Sequence, residues 1–312
     1  MNEIRKDYAL DRWVIIAEKR KARPHQFSQA AAPSGATDFF APGNEELTPK
    51  EIGRVQFKGS WLMRWFSNKF PAMTLEKAVK KSKAFKMKKG FFTSTPAYGH
   101  HEVIVETPTK NQLWDLSEYE ISELLQVYAL RIDQLMKEKD VAYVSLFKNH
   151  GSKAGTSLLH SHSQLITTPI IPSYIKEKAK AYKSSTFTKI INQEQSGPRH
   201  VKDTKTFFAF CPYASRFNFE TWIFPKKHKK SLSEFTEKER NELAKVLKKV
   251  LGNLKTVTDS FNILIFHSPK GVDLRFHIEI IPRNATWAGF EYASGIIINS
   301  VAPETAAQIL RR

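Results

Sequence analysis

Cysteine is almost absent: the 312-residue chain has one, Cys211. A single thiol excludes an intrachain disulfide, and with it zinc fingers, iron–sulfur clusters and CxxC redox chemistry built within one chain. The expected compartment is therefore a reducing cytoplasm. Long apolar runs are missing too. Mean hydropathy is −0.42, and no stretch approaches the ~18–20 apolar residues of a bilayer span. The first residues, MNEIRKDYALDRW, mix charges with apolar groups and lack the uninterrupted apolar stretch of a signal peptide. No membrane partner is expected. Acidic residues are outnumbered, 31 against 49 Lys and Arg, for a net charge of +18. Such a surface attracts anions: nucleotides, sugar phosphates or nucleic acid. Seven lysines fall in residues 77–89, KAVKKSKAFKMKK, and Lys226, Lys227, Lys229 and Lys230 form a second group. Aromatics are not interleaved there as a stacking platform for single strands requires, so the lysines read as a solvated face and nucleic acid is not the expected partner. Hydrophobic residues make up 41% of the chain and aromatics 12%, enough core for one large domain or two ordinary ones.

Residues 28–37, SQAAAPSGAT, read as a linker and residues 183–206 as a polar connection. Around them one order of elements occurs twice. In the first copy, His101–Thr107 reads as a strand, and Ser117 with Glu120 as a capping box. A helix with Ile121, Leu124, Leu125, Tyr128, Ile132 and Leu135 on one face follows. Val141–Phe147 is the next strand, then a glycine-containing loop and the segment His160-Ser-His-Ser-Gln164. In the second copy, Phe219–Pro225 is the strand and Thr236 with Glu239 the capping box. Leu243, Val246, Leu247, Val250, Leu251 and Leu254 mark the helical face, Asn262–Phe266 is the next strand, and Arg275–Glu279 takes the place of the histidine segment. The offset is 115 residues from His160 to Arg275 and 119 from Ser117 to Thr236. Matched elements in one order argue for an internal duplication. The fold class expected is α+β: two halves, 1–195 and 196–312, each with strands and one long helix, joined in a continuous or pseudo-twofold, mostly antiparallel sheet.

The histidine segment carries the chemistry. Alternate residues of a strand share a face, so His160, His162 and Gln164 point one way with Ser161 and Ser163 behind. Upstream lies Asn149-His-Gly-Ser-Lys-Ala-Gly-Thr-Ser157, whose glycines let backbone approach a ligand and whose amides and hydroxyls suit phosphate oxygens. It is not a P-loop, since GxxxxGK[ST] is absent. A neutral imidazole attacks phosphorus competently. Attack on the α-phosphorus of a nucleoside diphosphate sugar gives a nucleotidyl-histidine and releases a sugar phosphate. A carbonyl bonded to one ring nitrogen would fix the tautomer, and the Gln164 amide would bond a nonbridging oxygen.

With these residues in view, the chain resembles the galactose-1-phosphate uridylyltransferase family of the histidine-triad superfamily along nearly its whole length. The markers include Arg12-Trp-Val-Ile-Ile-Ala17, Pro42-Gly-Asn-Glu45, Asn68-Lys-Phe-Pro-Ala72, His101-Glu-Val-Ile-Val-Glu-Thr-Pro108, Phe147-Lys-Asn-His-Gly151 running to His160-Ser-His-Ser-Gln164, Pro225-Lys-Lys-His228, His277-Ile-Glu-Ile-Ile-Pro-Arg283 and Ala288-Gly-Phe-Glu291. The resemblance implies a duplicated histidine-triad (HIT-like) fold and a nucleotidyltransferase acting by ping-pong kinetics. It implies His162 as nucleophile, with His160 beside it and Gln164 on the transferred phosphate. Asn149, Gly155 and Ser157 fall on the phosphate loop, Asn68 on the nucleoside contact and Glu291 on the hexose contact. Arg20 and Arg23 match basic residues near the substrate phosphates, often reaching across a homodimer. The implied partners are a nucleotide sugar and a sugar phosphate.

The chain also departs from the pattern. Where the family carries CPxCPGNE with both cysteines on zinc, this chain reads Asp38-Phe-Phe-Ala41-Pro-Gly-Asn-Glu45, and a further zinc histidine falls on Lys110. Of that set His160 remains, so zinc is expected to be lost and no cofactor is expected. Phe39 and Phe40 are expected to hold the loop by packing, with Asp38 and His160 as a weaker metal-site alternative. A second metal site of some members maps to Glu177, His267, Arg275 and His277. Its cation should repel a metal, and Arg275 is expected to pair with Glu177 or Glu279 instead. The segment Ala288–Gly295 resembles the ADP-glucose phosphorylase branch, which leaves adenine against uracil open. A phosphorylase of ADP-glucose or a dinucleoside polyphosphate is the sibling reading, and a non-catalytic nucleotide binder the reading from another class.

Overall fold

The strands of the computed structural model, described over residues 2–18, 37–75 and 89–312, lie in two sheets whose paired strands are antiparallel. The smaller sheet holds β1 (Glu3–Lys6), β2 (Trp13–Ile16) and β5 (Ser94–Pro96) in the order β2-β1-β5. The larger runs in space through β3 (Glu51–Phe57), β4 (Ser60–Ser67), β6 (His101–Val105), β8 (His162–Thr168), β7 (Tyr143–His150), β12 (Phe261–Phe266), β13 (His277–Pro282), β11 (Thr221–Pro225), β10 (Phe207–Phe210) and β9 (His200–Asp203). Outward from the β7–β12 pair the order mirrors itself: β8 answers β13, β6 answers β11, β4 answers β10 and β3 answers β9. Matched elements begin 120 residues apart (His101 to Thr221), 118 apart (Tyr143 to Phe261) and 115 apart (His162 to His277). The duplication read from the sequence is thus one ten-stranded sheet with a pseudo-twofold axis at its centre.

The two long helices cover one face of this sheet. Helix α1 (Glu118–Met136) and, further along the chain, α4 (Glu237–Leu254) each start in the capping box read from the sequence. In each box the cap hydroxyl and the third-residue carboxylate satisfy orphan N–H groups reciprocally, which stabilises such an end by about 1 kcal/mol. The six apolar residues assigned to each helical face are all buried. They share one core with Ile104, Leu146, Leu165, Ile263, Ile278 and Ile280 from the sheet. Ser122 of α1 donates to Asn241 of α4 at 2.6 Å where the helices meet. Alternation then sends the residues between these, including Val103 and Val105 of β6 and His162 and Gln164 of β8, to the opposite face.

Residues 183–206 are not a connection. They hold helix α3 (Ser184–Glu194), which follows α2 (Ser173–Ala181), and strand β9. The short stripe Phe187 and Ile191, four residues apart, buries against Phe208, Phe210, Trp222 and Phe224, and its polar neighbours hid it in the sequence. The hairpin β3–β4 and the small sheet were likewise not read. The hairpin turns at Lys58-Gly59, both at positive φ (48° and 79°), as a two-residue primed turn requires. The strand expected over Val141–Phe147 lies at Tyr143–His150. Two short helices, α5 (Gly289–Ser294) and α6 (Pro303–Leu310), end the chain. Among the described residues no helix is long and apolar enough to cross a membrane. Most of the linker at 28–37 and of the lysine run at 77–89 lies outside the described residues.

Candidate active site

His162 opens strand β8 on the face away from the long helices and is 5% exposed. Its Nδ1 lies 2.8 Å from the His160 carbonyl. A carbonyl can only accept, so Nδ1 carries the hydrogen and Nε2 carries the lone pair. Burial, opposed by the His160 carbonyl and reinforced by the charge of Lys148, lowers its pKa to about 4. The ring is neutral near pH 7 and its tautomer is set, which makes Nε2 a nucleophile toward phosphorus.

Two cavities meet at this ring. The first, about 120 Å³, is largely apolar and is walled by Phe39, Phe40, Phe66 and Phe70 with Asn68, Ser157 and Gln164. The second, about 360 Å³, is lined by Asn149 at the end of β7, by Gly151 and Ser152 of the loop after it, and by His160. An apolar chamber and a polar one, joined at an imidazole, suit a ligand with a flat end and a phosphorylated end.

The loop between β7 and β8 is built on glycines at positive φ. Gly151 (φ 80°) would place a Cβ 2.2 Å from Ser260 Oγ and 2.4 Å from the Asp259 carbonyl, whereas Gly155 (φ 81°) faces open space. Gly151→Ala is therefore expected to cost roughly 3 kcal/mol, combining positive-φ strain with overpacking. Gly155→Ala is expected to cost about 1 kcal/mol, from φ alone. Equal denaturant midpoints for the two variants would contradict this. Across the seam between the halves, Asn262 donates to Asn149 Oδ1 at 2.8 Å and to the Ala154 carbonyl at 3.0 Å, pinning the loop.

Beneath His162 lies a buried network the sequence did not disclose. Glu106 is 1% exposed; Lys148 donates to it at 2.6 Å and Ser161 at 2.6 Å. Ser163 and Tyr128 also donate to Glu106. Lys148 further reaches Ser161 Oγ at 3.0 Å and the His162 carbonyl at 3.3 Å. Burial pushes the Glu106 carboxyl up, but Lys148 and the serine hydroxyls outweigh it and hold the group below the usual carboxylate range. The two serines placed behind the histidines are thus the handles by which strand β8 is fixed. The available signal was the pair of small hydroxyls alternating with histidine.

His160 precedes the strand rather than sharing its face. Its Nδ1 lies 2.8 Å from Asp38 Oδ2 and its Nε2 2.7 Å from the Thr107 carbonyl. Its ring anchors the Asp38 loop, and its carbonyl sets His162. Phe40 packs with Trp61, Phe66, Val103 and Val105 and meets the His162 ring edge-on at 5.4 Å, as expected for aromatic packing at this loop. Gln164 and Asn68 line the apolar cavity beside His162. Glu291 lines neither cavity: its carboxylate accepts the Ala288 N–H at 3.0 Å as a cap on α5. Arg20 and Arg23 lie outside the described residues.

The sequence description "galactose-1-phosphate uridyl transferase, N-terminal domain" matches residues 1–172. The chain belongs to that family. This uridylyltransferase-family chain is 28% identical over 326 residues to an ADP-glucose phosphorylase of Arabidopsis thaliana, with 99% of the chain and 92% of the relative covered. It is 29% identical over 332 residues to a galactose-1-phosphate uridylyltransferase of Thermotoga maritima, with 100% and 98% covered. The crystal structure of an Arabidopsis thaliana ADP-glucose phosphorylase with bound ADP-glucose superposes with a TM-score of 0.77 at 27% identity, covering 100% and 98% of the two chains. The protein is an enzyme, a nucleotidyltransferase of the uridylyltransferase type.

At the family's first metal position both His160 nitrogens are engaged, Nδ1 by the Asp38 carboxylate and Nε2 by the Thr107 carbonyl. Among the described residues no group of three His, Cys, Asp or Glu side chains is placed to hold an ion. At the second position Arg275 pairs with neither carboxylate. Its Nε and Nη1 are buried without a partner, its guanidinium lies over Phe187, and Glu177 is exposed. Glu279 instead accepts from Lys178 and, at 2.7 Å, from Arg216. The cation reached Glu279 from the residue beside Glu177, one helical step round α2.

The mirror position of the site is closed. His277 repeats the His162 geometry, its Nδ1 lying 2.8 Å from the Arg275 carbonyl two residues earlier. Yet its ring stacks on Phe266 at 4.6 Å, and Phe187 and Phe224 abut it. Lys178 donates to Glu279 beside it, and His277 is 1% exposed.

The protonation of His162 sets a pH dependence. A proton on Nε2 removes the attacking lone pair, so the rate of any reaction through this ring is expected to be flat above about pH 5 and to fall about tenfold per unit below about 4. The unfolded imidazole protonates near 6.5. Its folded pKa is lower, so the ring's contribution to stability is full above about 6.5 and is lost as the pH falls toward 4. A single-turnover pH series checks the first statement. A rate falling with a midpoint near 6.5 would contradict it.

Proposed function

We propose that the enzyme moves a nucleoside monophosphate from a nucleoside diphosphate sugar to a sugar 1-phosphate in two displacements through His162. In the first, the Nε2 lone pair attacks the α-phosphorus. The N–P bond forms, the bond from phosphorus to the bridging oxygen breaks, and the sugar 1-phosphate leaves with that electron pair. In the second, a phosphate oxygen of the acceptor attacks the same phosphorus and the N–P bond breaks, returning the neutral imidazole. The observation that carries this reading is the His162 ring: neutral, fixed in one tautomer by the His160 carbonyl, and placed where two cavities meet.

In this reading the nucleoside enters the apolar cavity against Asn68, and the phosphates lie toward Asn149, Gly155 and Ser157. The Gln164 amide donates to a nonbridging oxygen as charge builds on it. His160 acts through its carbonyl and its anchor to Asp38. Glu291, which lines neither cavity of its own chain, meets the hexose in the site of a second protomer of a homodimer, and Arg20 and Arg23 meet the phosphates. The reaction needs no metal, and the enzyme works in the cytoplasm.

A second reading has one favouring observation. The full-length similarity to an ADP-glucose phosphorylase supports inorganic phosphate as the acceptor and adenine as the base. Incubation with UDP-glucose or ADP-glucose labelled in the α-phosphate separates the two. The donor that labels the protein names the base, and discharge by galactose 1-phosphate or by inorganic phosphate names the acceptor. A protein that takes label from neither donor would reject both readings.

A further inference from the structure

The two carboxamides that line the apolar cavity, Asn68 and Gln164, converge on one buried imidazole. His101, at the start of β6, is 3% exposed. Its Nδ1 accepts the Ala72 amide hydrogen at 3.0 Å. A backbone N–H can only donate, so Nδ1 holds the lone pair and Nε2 of the neutral ring holds the hydrogen. That Nε2 lies 3.0 Å from Gln164 Oε1. The glutamine oxygen is thereby committed to His101, and its NH₂ is left to face the cavity. Asn68, whose Oδ1 accepts the Phe70 N–H at 2.8 Å, brings its Nδ2 to 3.2 Å from the same His101 Nε2.

Sheet register explains the reach of His101. In the β6–β8 pair Val103 stands opposite Gln164, and His101 stands one same-face position further along, opposite Ile166. The imidazole therefore meets Gln164 along the diagonal, a distance a ring can bridge. Without that bond the Gln164 amide is free to turn half a revolution about its last torsion, exchanging donor for acceptor. The turned amide would present its oxygen to an anionic phosphate.

We propose that His101 is a positioning residue, locking the Gln164 carboxamide with its N–H groups toward the nonbridging oxygens of the phosphorus under attack. The inference rests on the role given to Gln164 under Proposed function. It runs from the Ala72 backbone through the His101 tautomer to the amide, and touches no substrate atom itself.

The test uses the full chain and four variants: His101→Leu, His101→Gln, Gln164→Ala and the double variant His101→Leu/Gln164→Ala. His101→Leu is expected to slow single-turnover labelling by about 10–100-fold, while the donor concentration giving half-maximal rate changes less than about threefold. His101→Gln keeps a donor near the old Nε2 and is expected to recover most of the rate. The double variant is expected to be no slower than Gln164→Ala, because the imidazole has nothing left to orient. Multiplicative losses in the double variant, or a wild-type rate in His101→Leu, would overturn the proposal. A readout free of activity is the nitrogen NMR spectrum of histidine-labelled protein, assigned by the signal lost in His101→Gln. The Nε2–H tautomer is expected at His101, and the Nδ1–H tautomer overturns the positioning role. Absence of label on the wild type, with the Nε2–H tautomer present, counts against the proposed reaction and not against the orientation of Gln164.

Discussion

The His162→Ala protein is expected to take no covalent label from either nucleotide sugar while still binding the free nucleotide. Loss of a nucleophile costs on the order of 10⁵–10⁶ in turnover where the residue acts as part of a constellation. Here the loss is sharpened because Nε2 is the lone pair presented at the meeting point of the two cavities. The fold should tolerate the change. The ring's hydrogen bond is to the carbonyl of His160, and the strand around it is held by Lys148, Ser161 and Ser163 rather than by the imidazole. UMP or AMP binding by calorimetry is expected to stay within about tenfold of wild type, since less than 1.4 kcal/mol is then at stake. Acid-labile label persisting on His162→Ala would move the nucleophile elsewhere in the chain.

The largest loss of stability is expected from Lys178→Met. Glu279 and Glu220 are both fully buried, and Arg216 bonds both, at 2.7 and 2.6 Å. Lys178 supplies the second positive charge, its ammonium also lying 4.5 Å from the Phe266 ring centre and 5.0 Å from that of Trp222. Burial lowers the Lys178 pKa, and Glu279 opposes that shift. Removing the ammonium leaves two interior carboxylates on one guanidinium. Breaking a buried pair in this way costs about 3–5 kcal/mol, which for a chain of this size lowers Tm by roughly 5–8 °C. The companion Lys178→Met/Glu279→Met is expected to recover most of the loss, because two apolar side chains need no charge balance. A Lys178→Met protein melting within 2 °C of wild type would sink the claim that this lysine neutralises the interior. Elemental analysis of the same preparations is expected to show no stoichiometric zinc.

What the sequence disclosed and what it withheld follow a physical division. Local signals were legible. The capping boxes at Ser117 and Thr236 and the stripes behind them placed both long helices, and alternation placed His162 and Gln164 on the face opposite Ser163, although His160 falls before the strand and does not share that face. The duplication was legible because spacing survives when side chains change. Features made by distant pairing were not. Lys148 and Glu106 carry no local sign that they pair, and only the register of β7, β8 and the segment after β6 buries them together. His101 acquires its meaning from Ala72 and Gln164, 29 and 63 positions away. Asn262 belongs to the other half altogether. Arg275 was read as the balancing cation because it stands in the aligned position, whereas Lys178 reaches the same carboxylate from a helix the sequence reading had not drawn.

Since each half seats an imidazole by the same carbonyl bond but only one seat opens to ligand, a fully charged preparation should plateau at one nucleotide per polypeptide. The blocked twin then serves as an internal reference: any treatment that loosens the packing of Phe187 and Lys178 will betray itself as a rise of that plateau above unity.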